Sequence, residues 1–119
     1  MASFSFGDYQ LLDDRCLEII ANEGVELDAL EAEECTDLYE SLGEPLGLLI
    51  NRKNSYSASL DFVMTVAQAP QVKAFAILVE SERSAMVASS QKLFFNIPFE
   101  IFYDRKQALD WLKQNNEAA

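Results

Sequence analysis

A chain of 119 residues, half of them apolar, can enclose one hydrophobic core as a single domain spanning 1–119 and is too apolar to be a disordered segment. Its formal net charge of −11 is unevenly spread: residues 1–46 carry thirteen acids against Arg15 alone, while residues 47–119 carry seven acids and eight bases. Nucleic acid and anionic membranes both require a cationic footprint, so this balance argues against either as a partner.

The chain has no histidine, which removes Ser-His and Cys-His nucleophile pairs and His-rich metal sites. Its four glycines stand singly, so there is no Gly-rich phosphate loop. Neighbouring acids such as Asp13-Asp14 and Glu33-Glu34 fall at a turn and on a polar helix face, where carboxylates are ordinarily solvated. No catalytic residue, metal or cofactor is expected. Cys16 and Cys35 sit inside apolar patterns and read as buried, reduced thiols. The opening "MASFSFGDYQ" lacks a basic region and a long apolar stretch, and no later run is long enough to span a bilayer. The expectation is a cytoplasmic protein without a membrane span.

In chain order, Phe4 and Phe6, then Tyr9 and Leu11, alternate as a strand with an irregularity near Gly7. Asp13 and Asp14 make a turn, and Leu17, Ile19 and Ala21 complete a β-hairpin. "DALEAEECTDLYESLG" reads as a helix with Asp28 and Glu31 as a capping box. Ala32, Cys35, Leu38, Tyr39 and Leu42 form its apolar face, Glu33, Glu34, Asp37 and Glu40 the acidic one, and Gly43 and Pro45 end it. Residues 46–51 are an apolar run suited to a strand covered on both faces. A helix then begins at Ser57 or Ser59 and reaches Ala69, before Pro70. "VKAFAILVE" (72–80) reads as the central strand, 81–95 as a helix and "FEIFY" (99–103) as a strand. Asp104 and Gln107 open a last helix carrying Ala108, Trp111 and Leu112. The order ββαβαβαβα predicts an α/β fold: a mixed sheet of about five strands, mostly parallel, with four helices.

That order, in a chain of this length, resembles the SpoIIAA-like fold of STAS domains, the bacterial anti-sigma-factor antagonists and their relatives. "EGVELDALEAEE" (23–34), "KAFAILVES" (73–81) and "IPFEIFYDRKQALDWL" (97–112) are similar to stretches of a group of small bacterial proteins with that fold and no settled function. With "GLLINR" they cover most of the chain from residue 16 onward, and none is a catalytic motif. The antagonists carry a phosphorylated serine at the start of the helix after the third strand, in an Asp-Ser-Ser/Thr-Gly type motif. The equivalent turn here holds Ser55, Tyr56, Ser57 and Ser59 without the preceding Asp or the following Gly. A looser likeness links the superfamily to lipid-binding SEC14-type domains, and fold alone carries no function.

The turn after residue 51 has two readings. As punctuation, Asn51 and Asn54 suit turn geometry, Ser57 or Ser59 is an ordinary N-cap, and Tyr56 staples the helix start. As a site, the free N–H groups of a helix start and Arg52 and Lys53 before it would hold an anion or a phosphoserine. Ser81, Arg83 and Ser84 follow the next strand and could line the same rim, where open α/β sheets collect ligands. Phe94 and Phe95 read as core, and a pocket bordered by Phe62, Met64, Met86 and Phe94 would suit a lipid-like ligand. The function expected is a non-catalytic regulatory module binding an unidentified protein partner, or a second copy as a homodimer. Its candidate surfaces are the acidic face of 31–40 and the 52–59 turn. The alternative is a small-ligand or lipid carrier with an internal apolar pocket.

Overall fold

The computed structural model describes residues 2–12, 15–43, 45–52, 57–90 and 92–116. The chain runs β1 (Ala2–Phe4), β2 (Gly7–Leu12), β3 (Cys16–Ala21), β4 (Glu26–Leu27), α1 (Ala29–Leu42), β5 (Leu46–Asn51) and β6 (Ser57–Ala58). It continues through α2 (Leu60–Ala67), β7 (Val72–Leu78), α3 (Glu82–Ser90), β8 (Phe99–Phe102) and α4 (Arg105–Asn116), with a 3-10 turn at Lys92–Phe94. The main sheet has the order β1-β2-β3-β5-β7-β8. Its first two pairings are antiparallel and the remaining three parallel, as strands joined through crossover helices require.

The sheet has one strand more than expected because the opening segment is a hairpin of its own. The chain turns at Ser5 and Phe6, and Ala2–Phe4 folds back along Gly7–Tyr9. Gly7 explains the tight start of β2. A Cβ there would lie 2.2 Å from the carbonyl oxygen of Ile20, so only glycine allows β2 and β3 this approach. The turn sends Phe6 into the core, where Phe4 stacks on it with ring centres 4.8 Å apart. Glu34 accepts hydrogen bonds from the Ser5 backbone N–H (2.9 Å) and hydroxyl, tying this turn to α1.

β5 and β7 are buried along almost their whole length, and alternation sends successive side chains to opposite faces. Leu46, Leu48, Ile50, Phe75 and Ile77 meet α1 and α2 on one face, while Leu49, Ala74, Ala76 and Leu78 meet Ala108 and Leu112 of α4 on the other. Ala32, Cys35 and Tyr39 form the buried stripe of α1, as the spacing predicts. α3 is shorter than the sequence suggests. It stops at Ser90, so Phe94 stands 51% exposed, a correction to its expected place in the core. Phe95 turns inward instead and packs edge-on against Phe75 and Phe99.

One acid lies inside this sheet. Glu18, at the middle of β3, is 1% exposed on the α4 side. Its carboxylate accepts from Gln10 Nε2 (3.0 Å), Asn51 Nδ2 (2.9 Å) and both Nε (3.1 Å) and Nη2 (2.7 Å) of Arg105. Burial works to raise its pKa. The hydrogen bonds from Arg105, Asn51 and Gln10, with the Arg105 charge, outweigh it and hold the carboxyl down at about 2. Asn51, read above as a turn residue, is instead the buried last residue of β5.

The helix ends are satisfied by specific side chains. Arg15, at a φ of 63°, aims its guanidinium at the carbonyls of Leu42 (2.6 Å), Gly43 (2.8 Å) and Pro45 (3.1 Å), which closes the carboxyl end of α1. The Asp28–Glu31 capping box does not form. Asp28 occupies the N-cap position, but its side chain accepts from the Ser59 hydroxyl (2.8 Å) rather than capping α1. Ser59 in turn accepts from the Phe62 N–H (3.0 Å) as the N-cap of α2. Asp104 caps α4 as expected, accepting from the Gln107 N–H at 3.0 Å. At the β8 edge, Glu100 accepts from the Ile101 N–H (3.1 Å) and pairs with Lys92 (3.1 Å), so charged side chains occupy an edge that would otherwise offer a bare donor.

Arg105→Ala should cost about 2–3 kcal/mol at neutral pH, since it leaves a buried carboxylate with two amides while the lost guanidinium was itself partly screened. Glu18→Gln should cost less, about 1–2 kcal/mol, because it removes the charge together with its partner's task. The folded carboxyl's pKa of about 2 lies below its ordinary 4.5, so its stabilising contribution is complete above 4.5 and is lost as pH falls through 2. Urea titrations of the native chain and Arg105→Ala should therefore converge over that window. Separately, Ser59→Ala should lower stability by about 1 kcal/mol or more in thermal unfolding, while Ser57→Ala should leave the α2 cap intact.

Candidate functional site

Parallel neighbours β5 and β7 end side by side, and the Arg52 N–H continues their ladder by donating to the Leu78 carbonyl (3.0 Å). The chain leaves β5 at this point and returns as β6, which pairs in parallel with β4 through Glu26–Ser57 and Leu27–Ala58. The Ser59 N–H then donates to the Leu27 carbonyl (2.9 Å). The starts of α1 and α2 are thus fastened together beside the carboxyl ends of the central strands.

Between α2, α3 and these strand ends lies a pocket of about 450 Å³. Its floor is Ile50 of β5 with Phe75 and Ile77 of β7. α2 contributes Phe62, Val63 and Val66, and β6 contributes Ala58. Two cations complete the lining, Arg52 from the end of β5 and Arg83 from the first turn of α3, with Val87 one turn beyond Arg83. The volume lies within the roughly 300–1,000 Å³ of small-molecule sites, and the apolar walls with a few polar groups follow their usual composition.

The expected site residues are divided by the structure. Arg52 and Arg83 come together on the pocket. Ser59 is a structural cap whose hydroxyl is engaged by both Asp28 and Phe62. Ser57 belongs to β6, and its backbone rather than a helix cap fixes its place. Asn54, Ser55 and Tyr56 lie outside the described residues, as do the side chains of Ser57 and Ser84. Ser81 is exposed just before α3, and its carbonyl accepts from the Ala85 N–H (3.0 Å). Of the four residues expected to border an apolar pocket, only Phe62 lines this one. Met86 is 73% exposed on the opposite side of α3, where it borders a shallower groove with Tyr103. Met64 is half-buried, and Phe94 stands in solvent for the reason given above.

Two further groups bear on chemistry. Burial pushes the Cys35 thiol up to about 12, with the Glu34 charge adding to the effect, so the thiol stays protonated. Burial likewise raises the pKa of the Tyr39 phenol, next to Cys35. Cys16 and Cys35 are both buried thiols outside any disulfide, as their apolar settings imply. Among the acids of α1, Glu33, Asp37 and Glu40 are exposed, whereas Glu34 is drawn in by Ser5. Sequence reasoning missed the buried Glu18–Arg105 pair altogether. The signal available was weak: a lone glutamate in the apolar run "CLEIIA". Among the described residues, no helix is long and apolar enough to cross a membrane.

No protein-family profile and no curated protein matches the chain. A solved structure does. It is an uncharacterised protein of the DUF3478 family, with a SpoIIAA-like fold, from Shewanella loihica PV-4. The likeness covers 94% of this chain and 98% of that one with a TM-score of 0.65, at 23% sequence identity. Together with a mixed sheet whose parallel strands alternate with helices on both faces, it establishes the architecture: this chain has a SpoIIAA-like α/β fold.

Proposed function

We propose that the chain is a non-catalytic binding module that takes a small, largely apolar ligand into the pocket between α2, α3 and the ends of β5 and β7. The observation that carries this reading is the pocket itself: apolar walls at the carboxyl ends of adjacent parallel strands, where open α/β sheets collect ligands. The order of preference suggested by the sequence is thereby reversed, with the carrier alternative ahead of partner contacts. Buried thiols outside any disulfide favour a reducing compartment, and the cytoplasm is the proposed site of action. The partner-binding reading retains one specific support, the exposed pair Met86 and Tyr103 beside the groove on the outer side of α3. That surface lies apart from the acidic face of α1.

Native mass spectrometry of protein purified from a bacterial host should show the chain with one bound small molecule, released on denaturation. Protein stripped of it should bind the neutral dye Nile red. Val87→Trp, at a half-exposed position on the pocket rim, should fill the space and abolish dye binding while leaving the circular dichroism spectrum unchanged. Protein that carries no ligand and binds dye equally with or without the tryptophan would refute the carrier reading.

A further inference from the structure

We infer that the groove on the outer side of α3 receives a second copy of this chain, the two α3 helices running antiparallel about a two-fold axis beside Met86. This second copy is the partner in the protein-binding reading of that groove, on which the inference rests, and the pocket reading is independent of it. The groove, of about 560 Å³, is lined by Glu82, Ala85, Met86, Ser89 and Ser90 of α3 and by Tyr103, just past β8. The five helix positions follow the i, i+3, i+4, i+7, i+8 spacing of a single helix face, the spacing by which a helix meets a neighbour. Yet Met86 stands 73% exposed on it and Tyr103 60% exposed beside it. Methionine and tyrosine are enriched where protein surfaces meet, and a contiguous exposed apolar patch marks such a place.

The distribution of charge selects the occupant. Residues 1–46 carry thirteen acids and one base, and residues 47–119 carry seven acids and eight bases. The sheet order sets β1, β2 and β3 at one edge and β8 at the other, so the strands of the acidic third lie away from the groove. A basic partner would be drawn to that acidic third. Two copies, each at −11, repel one another least when they meet at the β8 end. The groove face is also complementary to itself, as a two-fold interface requires. Met86 projects from the face and also walls the groove, and the short side chains of Ala85, Ser89 and Ser90 leave room for its counterpart. Met86 is the midpoint of Glu82–Ser90, so an antiparallel pair sets Glu82 of each copy opposite Ser90 of the other, two residues before Lys92. Glu100 takes one of the three donors of the Lys92 ammonium at 3.1 Å, and the ammonium can donate to a second carboxylate.

Sedimentation velocity at physiological ionic strength should show a weak dimer, with a dissociation constant on the order of 100 µM, as suits a small interface. Met86→Lys should weaken it about tenfold or more, although the added cation lowers the repulsion between copies, and should leave Nile red binding unchanged. Met86→Cys, placed at the axis, should cross-link to its counterpart on mild oxidation. Leu30→Cys, at a position 76% exposed on α1, should not, and both native thiols are buried. Circular dichroism of each variant shows whether it is folded. Three outcomes would each overturn the inference and leave the pocket reading untouched: a chain that stays monomeric up to about 1 mM, a dimer indifferent to Met86→Lys, or Leu30→Cys cross-linking as fast as Met86→Cys. An intact dimer that binds no dye would strike the pocket reading alone.

Discussion

Both faces of β5 and β7 are dry, and most of the architecture follows from that constraint. A strand buried on two sides must be flanked by layers on two sides, so α1 and α2 cover one face and α4 the other. Parallel pairing then sends each connection over the sheet and sets the carboxyl ends of neighbouring strands side by side. The space beyond those ends is bounded by whatever helices begin there. Here α2 and α3 begin there, and their separation leaves the pocket.

The same dryness governs the polar groups. A carboxylate in the middle of β3 survives as an anion only because four donor contacts from β2, β5 and α4 replace its water. That bond set joins elements from both ends of the chain, since Glu18 and Arg105 are 87 residues apart. It also fixes the amino terminus of α4 against the sheet, while Leu112 and Ala108 anchor the rest of the helix. Replacing such a pair by apolar residues is often neutral in other proteins. Its structural effect here is registry: Glu18 can meet Gln10, Asn51 and Arg105 at once only when the three elements hold this alignment.

Elements governed by local periodicity were legible in the sequence, and those governed by distant partners were not. The two central strands, the buried stripe of α1 and the Asp104 cap could be read because each depends on neighbours a few residues away. The N-cap of α2 was narrowed to Ser57 or Ser59 but not decided, since the deciding contact is the pairing of Ser57–Ala58 with Glu26–Leu27, 31 residues earlier. The capping box at Asp28 failed for the same reason: Ser59 competes for its carboxylate. Phe94 was misplaced because helical spacing runs on past Ser90, while the backbone does not. In the pocket, Arg52 and Arg83 were each visible as cations after a strand. Their meeting follows from the adjacency of β5 and β7, which the alternating pattern implies. Asn51 looked like a turn residue and Glu18 drew no reading of its own, because their partners lie far away in sequence.

Two arginines, Arg52 and Arg83, line the pocket of a chain whose net charge is −11, and long-range field and local contacts act over different distances. The acidic helix face is exposed, and at physiological ionic strength its field decays over a Debye length of about 8 Å. At the pocket itself contact terms dominate, and its walls are largely the apolar side chains of Phe62, Val63 and Val66. A long-range negative field disfavours extended polyanions, which must approach along the surface, more than a small molecule entering a pocket. On the carrier reading proposed above, the net charge and the apolar pocket would act in the same direction, against extended polyanions and for a single small ligand.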